Sequence, residues 1–129
     1  MGPTTFKVAI VEDDHDVQFM YKLKLEREGY EVKVAGNGVD GLKLLEQFRP
    51  DIVLLDLMMP VMSGPEMLAR LRAQEWASNM RVVVLTNISK DEAPGALRFF
   101  HVDRYIVKAH HTPAQIVEIV REVLGIAPT

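Results

Sequence analysis

The sequence predicts an α/β domain built on a five-stranded parallel sheet, doubly wound, with five helices. Three observations predict it. Short apolar or β-branched runs at residues 6–11, 31–35, 52–55, 81–86 and 105–107 alternate with stretches whose apolar residues recur every three or four positions. The middle run, Ile52-Val53-Leu54-Leu55, is continuously apolar, as a strand covered on both faces must be. Repeated strand-helix units require right-handed crossovers, which lay helices on both sides of a parallel sheet. With 129 residues, 48% of them hydrophobic, the chain suits one domain with a sizeable core.

The first strand, FKVAIV, stops at three acids, Glu12, Asp13 and Asp14. Residues 16–28 place Val17, Met20, Tyr21 and Leu25 on one helical face, widened by Phe19 and Leu23, and stop at Gly29. Asp14 reads as the N-cap of this helix rather than as a ligand. Glu31 to Ala35 alternates with period two, which suits a strand nearer the sheet edge. Gly36-Asn37-Gly38 turns into a second helix with Val39, Leu42, Leu45 and Phe48 inward, ended at Arg49-Pro50 because proline disfavours helix in the residue before it. After the third strand, the loop from Leu57 to Ser63 leads to Gly64-Pro65 and a third helix with Met67, Leu68 and Leu71 inward; Trp76 reads as a lid over its end. Arg81 to Thr86 is the fourth strand. Lys90 to Phe100 carries Ala93, Ala96, Leu97 and Phe100 at helical spacing, but Pro94-Gly95 makes this fourth helix the least regular expected. Tyr105-Ile106-Val107 is a short fifth strand ending at Lys108. Thr112-Pro113 then opens a fifth helix with Ile116, Ile119, Val120 and Val123 inward, closed by Gly125. Residues 1–5 are expected to be a disordered lead-in, 6–125 the domain and 126–129 a tail.

A net charge of −3 without any basic cluster supplies no drive towards nucleic acid, so direct nucleic-acid binding is not expected. The absence of cysteine excludes disulfides, thiolate metal sites and thiol catalysis. No apolar stretch reaches the roughly 18 residues of a spanning helix and the N-terminus lacks a leader pattern, so a cytoplasmic protein without membrane association is expected.

Four of the strands end in polar groups: Glu12-Asp13, Asp56, Thr86 and Lys108. Asp56 taken alone is either a site residue or a strand-end turn aspartate. In a parallel sheet, however, those four ends share one edge, which is where ligands bind in open α/β folds. Three carboxylates gathered there cannot all stay ionised without a cation. All-oxygen ligands favour magnesium, with manganese as the second candidate, over zinc. Beside a metal and a lysine, one carboxylate could attack phosphorus and form an aspartyl phosphate, its equatorial oxygens neutralised by metal, lysine and hydroxyl.

The combination of VEDD, DIVLLDLMMPVMSG, VVVLTN and YIVKA, in that order over residues 6–125, resembles the receiver domain of two-component response regulators. The resemblance implies a flavodoxin-like sheet of order 2-1-3-4-5. It implies Asp56 as the phosphoacceptor, Asp13 as direct metal ligand, Glu12 acting through water, and the Met58 backbone carbonyl as the last protein ligand. It implies Thr86 as the switch hydroxyl, Lys108 as the phosphate-pairing cation and Tyr105 as the switch aromatic. The phosphoryl donor would be a histidine kinase, a phosphotransfer protein or a small acyl phosphate, and the face of fourth helix, fifth strand and fifth helix would carry the output, including a homodimer contact.

Three positions depart from that pattern. Asn87 stands where receivers usually carry a very small residue, placing a polar group at the phosphoryl entrance. Ala109 replaces the proline that follows the lysine in a cis peptide, and His101-Val102 replaces a small Gly-Ala pair. Met58 and Ile88 occupy the two positions flanking the path of attacking water, and both are apolar, so slow self-dephosphorylation is expected. The four histidines, 15, 101, 110 and 111, read as exposed loop residues, and Phe99-Phe100 as a pair with one ring outward at a partner surface. A flavin carrier fits poorly because the loop after strand one is acidic. An aspartate-nucleophile phosphatase fits poorly because Met58 stands where a second acid is needed. A receiver-like interaction module that is never phosphorylated is the alternative that Asn87 and Ala109 leave open.

Overall fold

The structure is a computed structural model describing residues 5–126; the expected lead-in before residue 5 and the tail beyond residue 126 lie outside the described residues. Strands β1 (Lys7–Val11), β2 (Glu31–Ala35), β3 (Ile52–Leu55), β4 (Arg81–Thr86) and β5 (Arg104–Val107) form one sheet of order β2-β1-β3-β4-β5. Every pairing is parallel. Side chains alternate across it. Val8, Ile10, Leu54, Val83 and Ile106 face helices α1 (His15–Arg27) and α4 (Pro113–Leu124), whereas Ala9, Val11, Val53, Leu55, Val82 and Val84 face α2 (Gly38–Phe48) and α3 (Gly64–Arg72). The central strands are buried on both faces, which is why they read as unbroken apolar runs.

Capping sets the helix starts. Asp14 accepts from the N–H groups of Asp16 and Val17, Asn37 from Asp40 and Ser63 from Glu66, while Thr112 and Gln115 form a reciprocal capping box. Phe19 and Leu23, which widen the apolar face of α1 in the sequence, are exposed.

The expectation of five helices is corrected: the described residues contain four α-helices. In place of the helix over residues 90–100 stand two 3₁₀ turns, Lys90–Glu92 and Gly95–Phe99. Ala93 (φ −59°, ψ 139°) and Pro94 (φ −56°, ψ 129°) are extended between them. Proline has no N–H to continue a helix and holds its predecessor out of the helical region, so the segment breaks there. Phe99 is exposed and Phe100 half-buried. Trp76, in the turn Glu75–Ala77, is half-buried with the Arg49 guanidinium 4.4 Å above its ring. No helix among the described residues is long and apolar enough to cross a membrane.

Candidate functional site

The C-terminal ends of β1, β3 and β5 bring four charged side chains together. Glu12 follows β1 directly, its N–H donating to Ala35 O at 3.0 Å, and Asp56 follows β3, its N–H donating to Val11 O at 3.0 Å. Carboxylate oxygens of Glu12, Asp13 and Asp56 lie within 4.8 Å of one another. Glu12 and Asp56 are buried, at 3% and 7% exposure, while Asp13 is exposed. Lys108, the residue after β5, places its Nζ against Glu12 Oε1 and 3.3 Å from Asp56 Oδ2. Met58 donates its N–H to Asp56 Oδ1 at 3.2 Å, and its side chain is exposed.

Burial pushes the Glu12 carboxyl up to about 7 from 4.5; Lys108 and the Asp14 N–H pull it down, and the Asp56 charge adds to the rise. Burial alone would lower the Lys108 ammonium, but Glu12 and Asp56 outweigh it and hold it above the ordinary lysine value. Three carboxylates against one ammonium leave the cluster with an excess of negative charge and hard oxygen donors. That donor set fits a magnesium-type ion.

Thr86 and Tyr105 meet through Ile88 rather than through the acids. The Thr86 Oγ1 accepts the Ile88 N–H at 3.5 Å, and the Tyr105 hydroxyl donates to Ile88 O at 2.8 Å. Thr86 is fully buried, Tyr105 half-buried and Asn87 exposed. Burial raises the Tyr105 hydroxyl, and the Asp56 charge adds to it. No hydrogen bond among the described residues joins Thr86 to Asp56. The Lys108-Ala109 peptide is trans. His15, His101 and His110 are exposed and His111 half-buried, and the only metal-competent group among the described residues is the Glu12, Asp13, Asp56 cluster.

Two features near the acids escape a reading of residue types. The first is the loop after Asp56. Met62 donates its N–H to Pro60 O at 2.8 Å across Val61, whose φ is +71°, so the loop holds a γ-turn of the rare positive-φ kind on a β-branched residue. Close packing holds it: a Cβ on Gly38 would lie 2.8 Å from Met62 O, and one on Gly64 2.6 Å from Asp56 O. The second is Gln18, whose amide reaches the ends of β1 and β2. Its sequence signal is phase: Gln18 precedes Tyr21 by three residues and Leu25 by seven, on the helix face that is buried.

Comparison with known proteins places these features in a family. The model of the response regulator receiver domain matches residues 8–121. Sporulation initiation phosphotransferase F of Bacillus subtilis is 33% identical over 100 residues, covering 73% of this chain and 79% of that protein. The transcriptional regulatory protein AfsQ1 of Streptomyces coelicolor is 37% identical over 82 residues, 64% of this chain and 35% of its own length. The chain thus spans about a third of the length of some curated relatives it matches. The chemotaxis protein CheY4 of Vibrio cholerae superposes with a TM-score of 0.85 at 26% identity, over 93% of this chain and 99% of that one.

Proposed function

The chain belongs to the response regulator receiver family, and on that premise we propose that Asp56 is its phosphoacceptor, taking a phosphoryl group from the phosphohistidine of a histidine kinase or phosphotransfer protein. The observation that carries this reading is the cluster itself: three carboxylates within 4.8 Å, with Lys108 paired to two of them. An Asp56 carboxylate oxygen attacks phosphorus, the P–N bond breaks, and the imidazole leaves with the electron pair. Glu12, Asp13, Asp56 and the Met58 carbonyl would hold magnesium, or manganese, which when bound supplies the positive charge that offsets the phosphoryl oxygens. Lys108 moves from carboxylate to phosphoryl oxygen. Asn87, exposed beside Thr86, offers the group a further hydrogen bond.

The switch follows from the shared peptide groups of Ile88. When the Thr86 hydroxyl turns to the phosphoryl group it leaves the Ile88 N–H, and the segment whose carbonyl receives the Tyr105 hydroxyl is free to shift. The change reaches the face made by the 90–99 turns, β5 and α4. There Arg104 lies beside Glu118 and Glu122 on one side, paired to Glu122 at 3.0 Å, and beside Lys90, Arg98 and Asp103 on the other, a mixture of both charges that supports a self-complementary homodimer contact. The exposed Met58 side chain and Ile88 make the water path apolar, which slows loss of the phosphoryl group.

Incubation with acetyl phosphate and magnesium tests the reading: mass spectrometry should show a gain of one phosphoryl group, absent in Asp56→Asn. No gain in the wild type would overturn it in favour of an interaction module that is never phosphorylated. Complete loss of label within seconds, without a phosphatase, would overturn the slow-hydrolysis part alone.

A further inference from the structure

We propose that Gln18 is a positioning residue for the metal site, holding the peptide plane from which Glu12 and Asp13 project; the inference rests on the phosphoacceptor reading above. Gln18 lies one turn into α1 and is half-buried. Its Nε2 donates to Glu12 O at 2.9 Å and to Ala35 O at 3.1 Å. Both partners are carbonyls, so the amide nitrogen must face them, and both of its hydrogens are used.

The two carbonyls mark the place where β1 and β2 part. Their last paired residues are Val11 and Ala35, and Glu12 lies one residue beyond, tied to β2 by its N–H on Ala35 O at 3.0 Å. Ala35 O therefore accepts from the Glu12 backbone and from Gln18 together. The Glu12 carbonyl belongs to the planar peptide that joins Glu12 to Asp13, so fixing that oxygen fixes the plane carrying both acid residues. Among the described residues no other donor reaches the Glu12 carbonyl. Remove the amide, and that peptide loses the contact that sets its rotation, although the sheet and α1 keep their packing.

A staple that merely fastened α1 to the sheet would affect stability alone. A positioning residue affects the affinity of the acids for a cation beyond any loss of stability. The test uses the unphosphorylated chain and Mn2+, titrated by electron spin resonance, alongside urea unfolding without metal. Gln18→Met keeps the length of the side chain and removes both donors. It is expected to weaken Mn2+ binding about tenfold, the lower end of what outer-shell partners of metal ligands contribute. Gln18→Asn, whose amide stops one methylene short, is expected to do the same. Val32→Ala, a core truncation in β2, is the stability control and is expected to bind Mn2+ as the wild type does.

Weakened binding in both Gln18 variants with the control unaffected supports the proposal. Wild-type affinity in Gln18→Met or Gln18→Asn overturns it, as does a loss of affinity that follows stability across all three variants. A wild-type chain that binds no Mn2+ overturns the phosphoacceptor reading first, and this inference with it.

Discussion

Replacing Val61 with glycine should stabilise this protein, although it deletes an apolar side chain next to the site. Val61 has φ +71° and sits at the centre of the turn closed by the Met62 N–H on Pro60 O. A β-branched residue held in that region costs about 1–3 kcal/mol. The valine side chain offsets little of this, because the residue is 80% exposed. Glycine relieves the strain but widens the unfolded ensemble, at a cost of about 0.4–1 kcal/mol. The balance is a gain of about 1 kcal/mol, which for a domain of this size raises Tm by about 4 °C. Val61→Ala should gain much less, since alanine also carries a Cβ at positive φ. Thermal and urea melts of the metal-free protein decide the matter. A neutral or destabilising Val61→Gly would refute the argument, and would mean that the loop is not over-determined by the close packing of Gly38 on Met62 and of Gly64 on Asp56 and Leu57.

The Glu12 carboxyl gives a pH dependence of definite sign. Its value in the folded state, about 7, lies above the ordinary 4.5, so between these limits the folded chain binds more protons than the unfolded one and stability falls as pH rises. The full effect is at most ~3 kcal/mol. Urea melts in EDTA from pH 4.5 to 7.5 should show it, and Glu12→Gln should flatten the curve; an equal slope in both proteins would exclude Glu12 as the cause. Arg72 gives a second, unrelated expectation. Its guanidinium donates to Ala77 O and Met80 O at 2.9 Å each and to His101 O at 2.6 Å, joining the end of α3 to the start of β4 and the loop before β5. Arg72→Met leaves those carbonyls without their donor and should cost about 2–3 kcal/mol in urea unfolding. Arg72→Lys should recover only part, because one ammonium cannot span three carbonyls that a planar fork reaches. A loss below 1 kcal/mol in Arg72→Met would show that water replaces the guanidinium without penalty.

What could be read from the sequence divides by whether a residue's type or its neighbours decide its place. Strand runs such as Val82-Val83-Val84 are apolar because both faces are covered, and a parallel sheet then brings their C-terminal ends to one edge whatever the helices do. Glu12, Asp13, Asp56 and Lys108 are therefore legible as a group from the sequence alone. The segment 90–100 was legible only in part: its apolar spacing says helix, while Pro94 forbids the hydrogen bonds a helix needs, and the backbone rule wins. Val61 was illegible because positive φ is ordinarily announced by glycine or asparagine, and here the close approach of Gly38 to Met62 imposes it on a residue that would not choose it. Gln18 was hidden for another reason. Phe19 and Leu23 blur the phase of α1 by adding apolar residues on its exposed side, so a polar residue facing inward looks like one more surface position. Its place becomes visible only when the carbonyls of Glu12 and Ala35 are seen to end the β1–β2 ladder with no other side chain to meet them. A buried carbonyl needs a donor, and the residue that supplies one beside a metal-competent acid also sets how that acid is presented.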